Sequence, residues 1–346
     1  MATTQSCVEL RFEETPRGEN AAITAPYRIS TVSHFMPIQS VQLSPGTQFE
    51  DRGDELRGTE GDASSLVAGY EPGGSLAVRA YADELLWLLT ASGFNYVKTA
   101  GDGIILDPDS VVIPTGATRW VFNKRGGLTA KSLQIIQAFV SNGVFVKGQG
   151  FGVSQLGMNA MGAVTCDLTG LVYKSVADPN LTPSLQSSAI PHLRRGDMTL
   201  TWMGSSGVVD DFSFQIGNEL TRHVTMGTGS YFPDSLNHGD DRVSVTGTVP
   251  LYTFTATDVD ALVGGTIFSA KARWKSPKSI GATAYKYSMW LEMPSCQIVG
   301  GTPDALSNAR RVGASSEFKA AWDDTAGYDA KITIVGATSG SIETYV

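Results

Sequence analysis

The order strand, short helix, glycine occurs twice in this chain, half a chain apart. Residues 73–81 read Gly-Gly-Ser-Leu-Ala-Val-Arg-Ala-Tyr and alternate apolar with polar side chains, as a half-buried strand does. They run straight into an apolar helix predicted over residues 82–89. The same alternation returns over residues 241–249, continues through Leu251 and Phe254, and meets a second helix predicted over residues 257–263. Gly93 and Gly264 follow the two helices, where a left-handed residue commonly ends a helix. A unit that recurs in this way restricts the chain to a duplicated architecture, and points to a subunit made to stack.

Composition narrows the class. The chain has 346 residues, of which 42% are hydrophobic and 17% charged; charged residues in a typical soluble domain come to about 25%. A surface poor in charge is one that meets other subunits. Thirty-eight glycines and short runs rich in Val, Ile, Thr and aromatics predict an all-β fold with many turns and only short helices. The formal net charge of −8 disfavours tight nucleic-acid binding, which depends on Lys and Arg displacing counterions from phosphates. Cys7, Cys166 and Cys296 lie far apart with no CxxC spacing, so neither a zinc site nor a disulfide framework is expected, and free thiols fit a reducing cytosol. The first residues lack the basic and apolar regions of a signal peptide, and no apolar run is long enough to span a membrane.

Along the chain, residues 1–26 read as an N-terminal arm, with Glu13, Glu14, Pro16 and Gly18 breaking any periodicity. A first module is predicted over residues 27–173. It holds the alternating run Ile38, Val41 and Leu43, then a long polar stretch over residues 45–74; a loop of that length in a compact domain is functional or disordered. Residues 119–127 read as a strand ending in a basic turn, and residues 133–148 as a hairpin. Asp178-Pro179, Thr182-Pro183 and Ile190-Pro191 mark a linker over residues 174–197. The second module, residues 198–346, repeats these stages. Residues 269–275 match the basic strand end of the first module, and residues 289–300 match its hairpin.

Chemistry is hard to find. His223 and His238 flank Asp234, with Asp240 and Asp241 behind; imidazole and carboxylate are metal-ligand types, but the spacing fits no helical or turn ligand pattern, and a solvated or interface loop is the simpler reading. Gly148, Gly150 and Gly152 alternate between strands, so they signal a bend or close backbone approach, not a phosphate loop, which needs a helix after it. There is no nucleophile elbow. The sequence therefore predicts no catalytic residue, cofactor or metal, and no enzyme. Most of the six tryptophans have apolar neighbours, which places them in a core.

Several stretches together resemble the tail tube proteins of long non-contractile-tailed bacteriophages. They are Glu14-Thr15-Pro16-Arg17-Gly18; Asp51-Arg52-Gly53 ahead of Gly69-Tyr70-Glu71-Pro72-Gly73-Gly74-Ser75-Leu76; the strand with its Asp83 to Leu89 helix; and, in the second half, Val243 through the helix Asp258-Val259-Asp260-Ala261-Leu262. The resemblance implies two tandem β-sandwich or barrel modules of the tail tube type. It implies a virion protein of the tail, assembled in the host cytoplasm, that stacks as rings into a conduit for DNA. The rings would be trimers with pseudo-sixfold symmetry, or hexamers. Tape-measure, tail terminator and tail tip proteins would be partners, DNA would pass without specific binding, and no membrane would be involved. Asp51, Arg52, Asp54, Glu55, Arg57, Glu60, Asp234, Asp240, Asp241 and Arg242 would reach the adjacent ring. The competing expectation is a capsid decoration or carbohydrate-binding β-sandwich with an aromatic binding face.

Overall fold

The computed structural model describes residues 6–12, 34–35, 38–50, 65–123, 132–139, 143–176, 192–207, 211–224, 232–238, 244–251, 256–303 and 314–337. The first half contains β1 (Ser6–Phe12), β2 (His34–Phe35), β3 (Ile38–Ser44), β4 (Thr47–Glu50), β5 (Leu66–Tyr70), β6 (Gly73–Arg79), α1 (Ala82–Ala91), β7 (Asn95–Ala100), β8 (Ala117–Asn123), β9 (Leu133–Phe139), β10 (Val144–Asn159), β11 (Ala163–Thr169) and β12 (Val172–Val176). The second half contains β13 (Met198–Trp202), β14 (Ser205–Gly207), β15 (Ser213–Gly217), β16 (Leu220–His223), β17 (Ser235–His238), β18 (Ser244–Leu251), α2 (Ala256–Gly264), β19 (Ile267–Ser279), β20 (Lys286–Pro303), β21 (Ala314–Ala321) and β22 (Lys331–Ala337). The fold is all-β with two short helices, as the sequence predicts.

Local sequence accounts for the units that repeat. In β6, Leu76 and Val78 are buried while Ser75 and Arg79 are exposed, the period-two pattern of a strand with one buried face. Helix α1 carries Leu85, Leu86, Trp87, Leu88 and Leu89, all buried; a helix apolar on every side must be enclosed. It stops where the Ser92 hydroxyl and backbone N–H both donate to the Leu88 carbonyl, at 2.7 and 2.9 Å, before Gly93 at φ 85°. After α2 the left-handed position is Gly265, φ 61°.

The pairings of the two halves match strand by strand. β1 pairs β2 and β9, as β13 pairs β14 and β19. β3–β6–β11–β10 runs in one half and β15–β18–β21–β20 in the other, every neighbour antiparallel. The hairpin β4–β5 corresponds to β16–β17. Even the irregularities recur. Four residues of β10, Gly148 to Phe151, span three of β9, and four of β20, Met293 to Cys296, span three of β19. Farther along, β10 bulges against β11 between Val153 and Gln155, and β20 bulges against β21 between Ile298 and Gly300. Both long strands change partners at the first of these irregularities, β10 from β12 to β11 and β20 from β22 to β21. Gly74 and Gly247 occupy one position of the repeat: a Cβ on either would overlap a carbonyl oxygen of the strand beside it, that of Gln42 or of Ser213.

Two expectations need correction. Residues 119–127 and 133–148 are not the counterparts of residues 269–275 and 289–300. By pairing, β19 corresponds to β9 and β20 to β10. The offset arises because β7 and β8 occur in the first half only, and β8 adds to the far edge of β22. Ser6–Phe12 is not part of an arm but a strand, register Ser6↔Phe139 to Phe12↔Leu133; its Val8, Leu10 and Phe12 alternate, a signal outweighed by the turn formers after it. The two halves share a core. One apolar cluster runs from Leu76, Trp87 and Trp120 through Phe214, Trp274 and Trp290 to Ile334, because β10 pairs directly with β15 across the halves, Gln155↔Gly217 to Asn159↔Ser213. The strands wind into a barrel-like system. Followed pairing by pairing among the described residues, several strands pair on one side only, and the open edges include the outer edge of β3 and the side of residues 298–303 of β20 that faces away from β21.

Candidate functional site

For a chain of this construction the surfaces that carry function are its borders and the joints between halves. The first joint lies where β15 leaves β10. The Asn218 side-chain amide donates to the Ser92 carbonyl at the end of α1 and to the Val153 carbonyl, the latter at 3.0 Å. The Asn218 backbone N–H donates to the Ser154 carbonyl at 2.7 Å. One side chain therefore ties the second half to a helix end and a strand of the first, satisfying carbonyls that the helix terminus leaves without partners.

A second joint holds the two hairpins. The Arg222 guanidinium in β16 donates to the Pro72 carbonyl at 2.6 Å and lies 3.9 Å from Glu71. Tyr70 stacks on Phe232 with centroids 4.4 Å apart. The base of β4–β5 thus rests against the turn end of β16–β17.

The third joint is built by the residues linking β7 to β8. Asp107 and Asp109 stand on this connection. Asp109 accepts from Lys271 and Arg273 of β19, each at 2.7 Å, and from the Trp290 indole of β20 at 3.1 Å. The Tyr285 hydroxyl donates to Asp107. Burial alone would raise the Asp109 carboxyl, but these donors hold it down at about 2.

Of the residues expected to reach an adjacent ring, Asp51, Arg52, Asp54, Glu55, Arg57 and Glu60 lie outside the described residues. Asp240, Asp241 and Arg242 also lie outside. Asp234 stands at the turn end of β16–β17, where the chain enters β17, its N–H donating to the His223 carbonyl at 2.8 Å. The sequence did not single out Asn218, Arg222 or Asp109. Each is a lone polar residue whose partners are far away in the chain, so no local pattern could mark it.

Reactive chemistry is sparse on this framework. Among the described residues no group of three His, Cys, Asp or Glu side chains could hold a metal ion. Burial pushes the Cys296 thiol up to about 12 and the Cys166 thiol higher still, so neither supplies a thiolate at neutral pH. Gly148 and Gly150 serve packing: a Cβ on the first would meet the Phe151 ring and on the second the Leu171 side chain, and Gly150 has φ 65°. Five tryptophans are buried, and Trp322 is 42% exposed. No helix among the described residues is long and apolar enough to cross a membrane.

An all-β chain of two matched halves, with its polar joints spent on holding strands together, has the make-up of a structural subunit. Residues 6–320 match the family model of the phage tail tube protein. The chain belongs to the phage tail tube protein family, and is a structural component of the virion tail that assembles with itself and other tail proteins. No curated protein matches it in sequence.

Proposed function

We propose that the chain closes into rings of three, each with pseudo-sixfold symmetry, and that the rings stack into the tube through which DNA leaves the virion. The repetition of the sheet pairings within one chain is the observation that carries this reading. Two near-equivalent units per chain supply six positions to a three-membered ring, and a head-to-tail contact between rings, which does not close on itself, extends as a filament. The segment that joins β4 to β5 in sequence, with Asp51, Arg52, Asp54, Glu55, Arg57 and Glu60, reaches the next ring, as do Asp234, Asp240, Asp241 and Arg242. The two proposed modules cover residues 27–173 and 198–346, the first extended by β1.

The net charge of −8 suits a bore that repels DNA and lets it slide, since a basic wall would hold phosphates with an affinity set by counterion release. The bore is therefore net acidic. It encloses a tape-measure protein during assembly, and a tail terminator and tail tip proteins close the ends. A carbohydrate-binding module is disfavoured by the burial of the tryptophans that an aromatic binding face would need. Negative-stain microscopy of the purified chain tests the proposal. Rings or tubes with threefold class averages are expected, and featureless particles at every concentration would defeat it. Deleting residues 51–62 should leave rings intact and abolish stacking; tubes of normal length from that variant would remove the inter-ring role.

A further inference from the structure

We infer that one copy of this chain joins the next by reproducing, in register, the joint that already connects its own halves. Residues 298–303 of β20 pair antiparallel with the free edge of β3 in a second copy, and the exposed apolar face of α2 is covered there. The inference rests on the ring proposed above and specifies its contact.

The internal joint supplies the template. The shared irregularities align β10 with β20, so that Gln155 corresponds to Gly300 and Gly157 to Thr302. Phe214 pairs Gly247 where Leu43 pairs Gly74, so Phe214 corresponds to Leu43, Gln215 to Ser44 and Gly217 to Gly46. Inside the chain Gln155 faces Gly217 and Gly157 faces Gln215. The external counterparts are Gly300 facing Gly46 and Thr302 facing Ser44 of the second copy. Asn218 corresponds to Thr47, which places a neighbour's Thr47 beside the end of α2 and the Ile298 carbonyl.

Burial independently points to the same place. In α1, Trp87 and Ala91 are buried. Their counterparts in α2, Val259 and Val263, are 39% and 82% exposed. Ile267 and Val299, close by, are 63% and 55% exposed; Ile267 pairs Gln297, whose amide donates to the Gly265 carbonyl at 3.2 Å. On the opposite border, beyond β3, the hairpin β4–β5 exposes Phe49 at 64% and Leu66 at 50%. Each border offers an open strand edge and apolar side chains, and each lacks what the other supplies.

Pro45 and Pro303 lie on the two edges. Within the chain the even-numbered residues of this part of β10 bond to β15, as Asn218 N–H to Ser154 O and Ala160 N–H to Phe212 O show. Their counterparts in β20 are residues 299, 301 and 303. The external ladder therefore lacks the donors of Pro45 and Pro303 but keeps Thr47 N–H to Val299 O, Gly301 N–H to Pro45 O and Leu43 N–H to Pro303 O. Proline on an edge is a common guard against indiscriminate strand addition. Here it leaves a short ladder that needs the apolar contact beside it.

The test is a double variant, Thr302→Cys with Ser44→Cys, oxidised in the concentrated full-length chain. By the template these two form a non-hydrogen-bonded pair, the closer type, within the reach of a disulfide. Covalent oligomers ending at the trimer are expected on non-reducing gels. They should be absent from either single variant and reduced at least tenfold when Gln42→Cys replaces Ser44→Cys. Val263→Glu should lower association at least tenfold with an unchanged melting temperature. Rings or tubes that resist this cross-link, or favour the Gln42 pair, overturn the register while leaving the tube standing. Cross-linked rings that never stack uphold the register and defeat the tube. A chain that stays monomeric at every concentration overturns both.

Discussion

Helices α1 and α2 hold the same place in the repeat and meet opposite fates. Helix α1 lies between the halves of its own chain, and its residues 85–91 are buried throughout. Helix α2 lies at a border and leaves Val263 82% exposed. An element that contributes to folding in one half is therefore free to contribute to association in the other. The comparison can be broken by substitution. Trp87→Ala should cost about 3–5 kcal/mol of folding stability, measured by denaturant unfolding, whereas Val259→Ala should change it by less than about 0.5 kcal/mol. Equal costs would mean that the two helices are not divided in this way.

The paired glycines sharpen the same point. Gly74→Val and Gly247→Val each push a side chain into a neighbouring carbonyl, and each should cost about 3 kcal/mol, enough to lower soluble yield. A large cost at one and none at the other would break the structural equivalence of the halves.

The connection between β7 and β8 has no counterpart in the second half, so disturbing it should affect one side of the comparison only. Asp109→Asn removes the anion between Lys271 and Arg273 and should cost about 2 kcal/mol, read from the shift in denaturant midpoint. The wild-type contribution has a definite pH signature. The folded carboxyl is depressed to about 2 from an ordinary value of 3.8, so its stabilisation is complete above about pH 4 and is lost as pH falls through 2. Asp109→Asn should show a flatter acid limb than wild type. The smallest effect concerns the thiols. In a Cys7→Ser variant, Cys166 and Cys296 should react with a thiol reagent only after unfolding.

The duplication was legible because it is written in local signals: alternation in β6 and β18, apolar helices after each, and glycines at their ends. Ser6–Phe12 was legible too, through Val8, Leu10 and Phe12, but stood next to a stretch with none of that pattern. The correspondence of later strands was misread because β7 and β8 look like any other strands in sequence; only their pairing with β22 reveals them as additional. The joining of β10 to β15 was not legible at all. Both edges are apolar and alternating, and nothing in such a pattern specifies which edge meets which. The candidate contact residues divide similarly. A long charged loop announces itself at residues 51–60, while the role of Asn218 depends on Ser92 and Val153, residues brought to it only by folding.

The lone β7–β8 hairpin gives the two halves different outlines. In the proposed ring of three it would recur at every second position, giving three copies of this hairpin against six near-equivalent units. A partner that recognises this hairpin would find three equivalent seats on such a ring, whereas one that recognises only the repeated strands would find six.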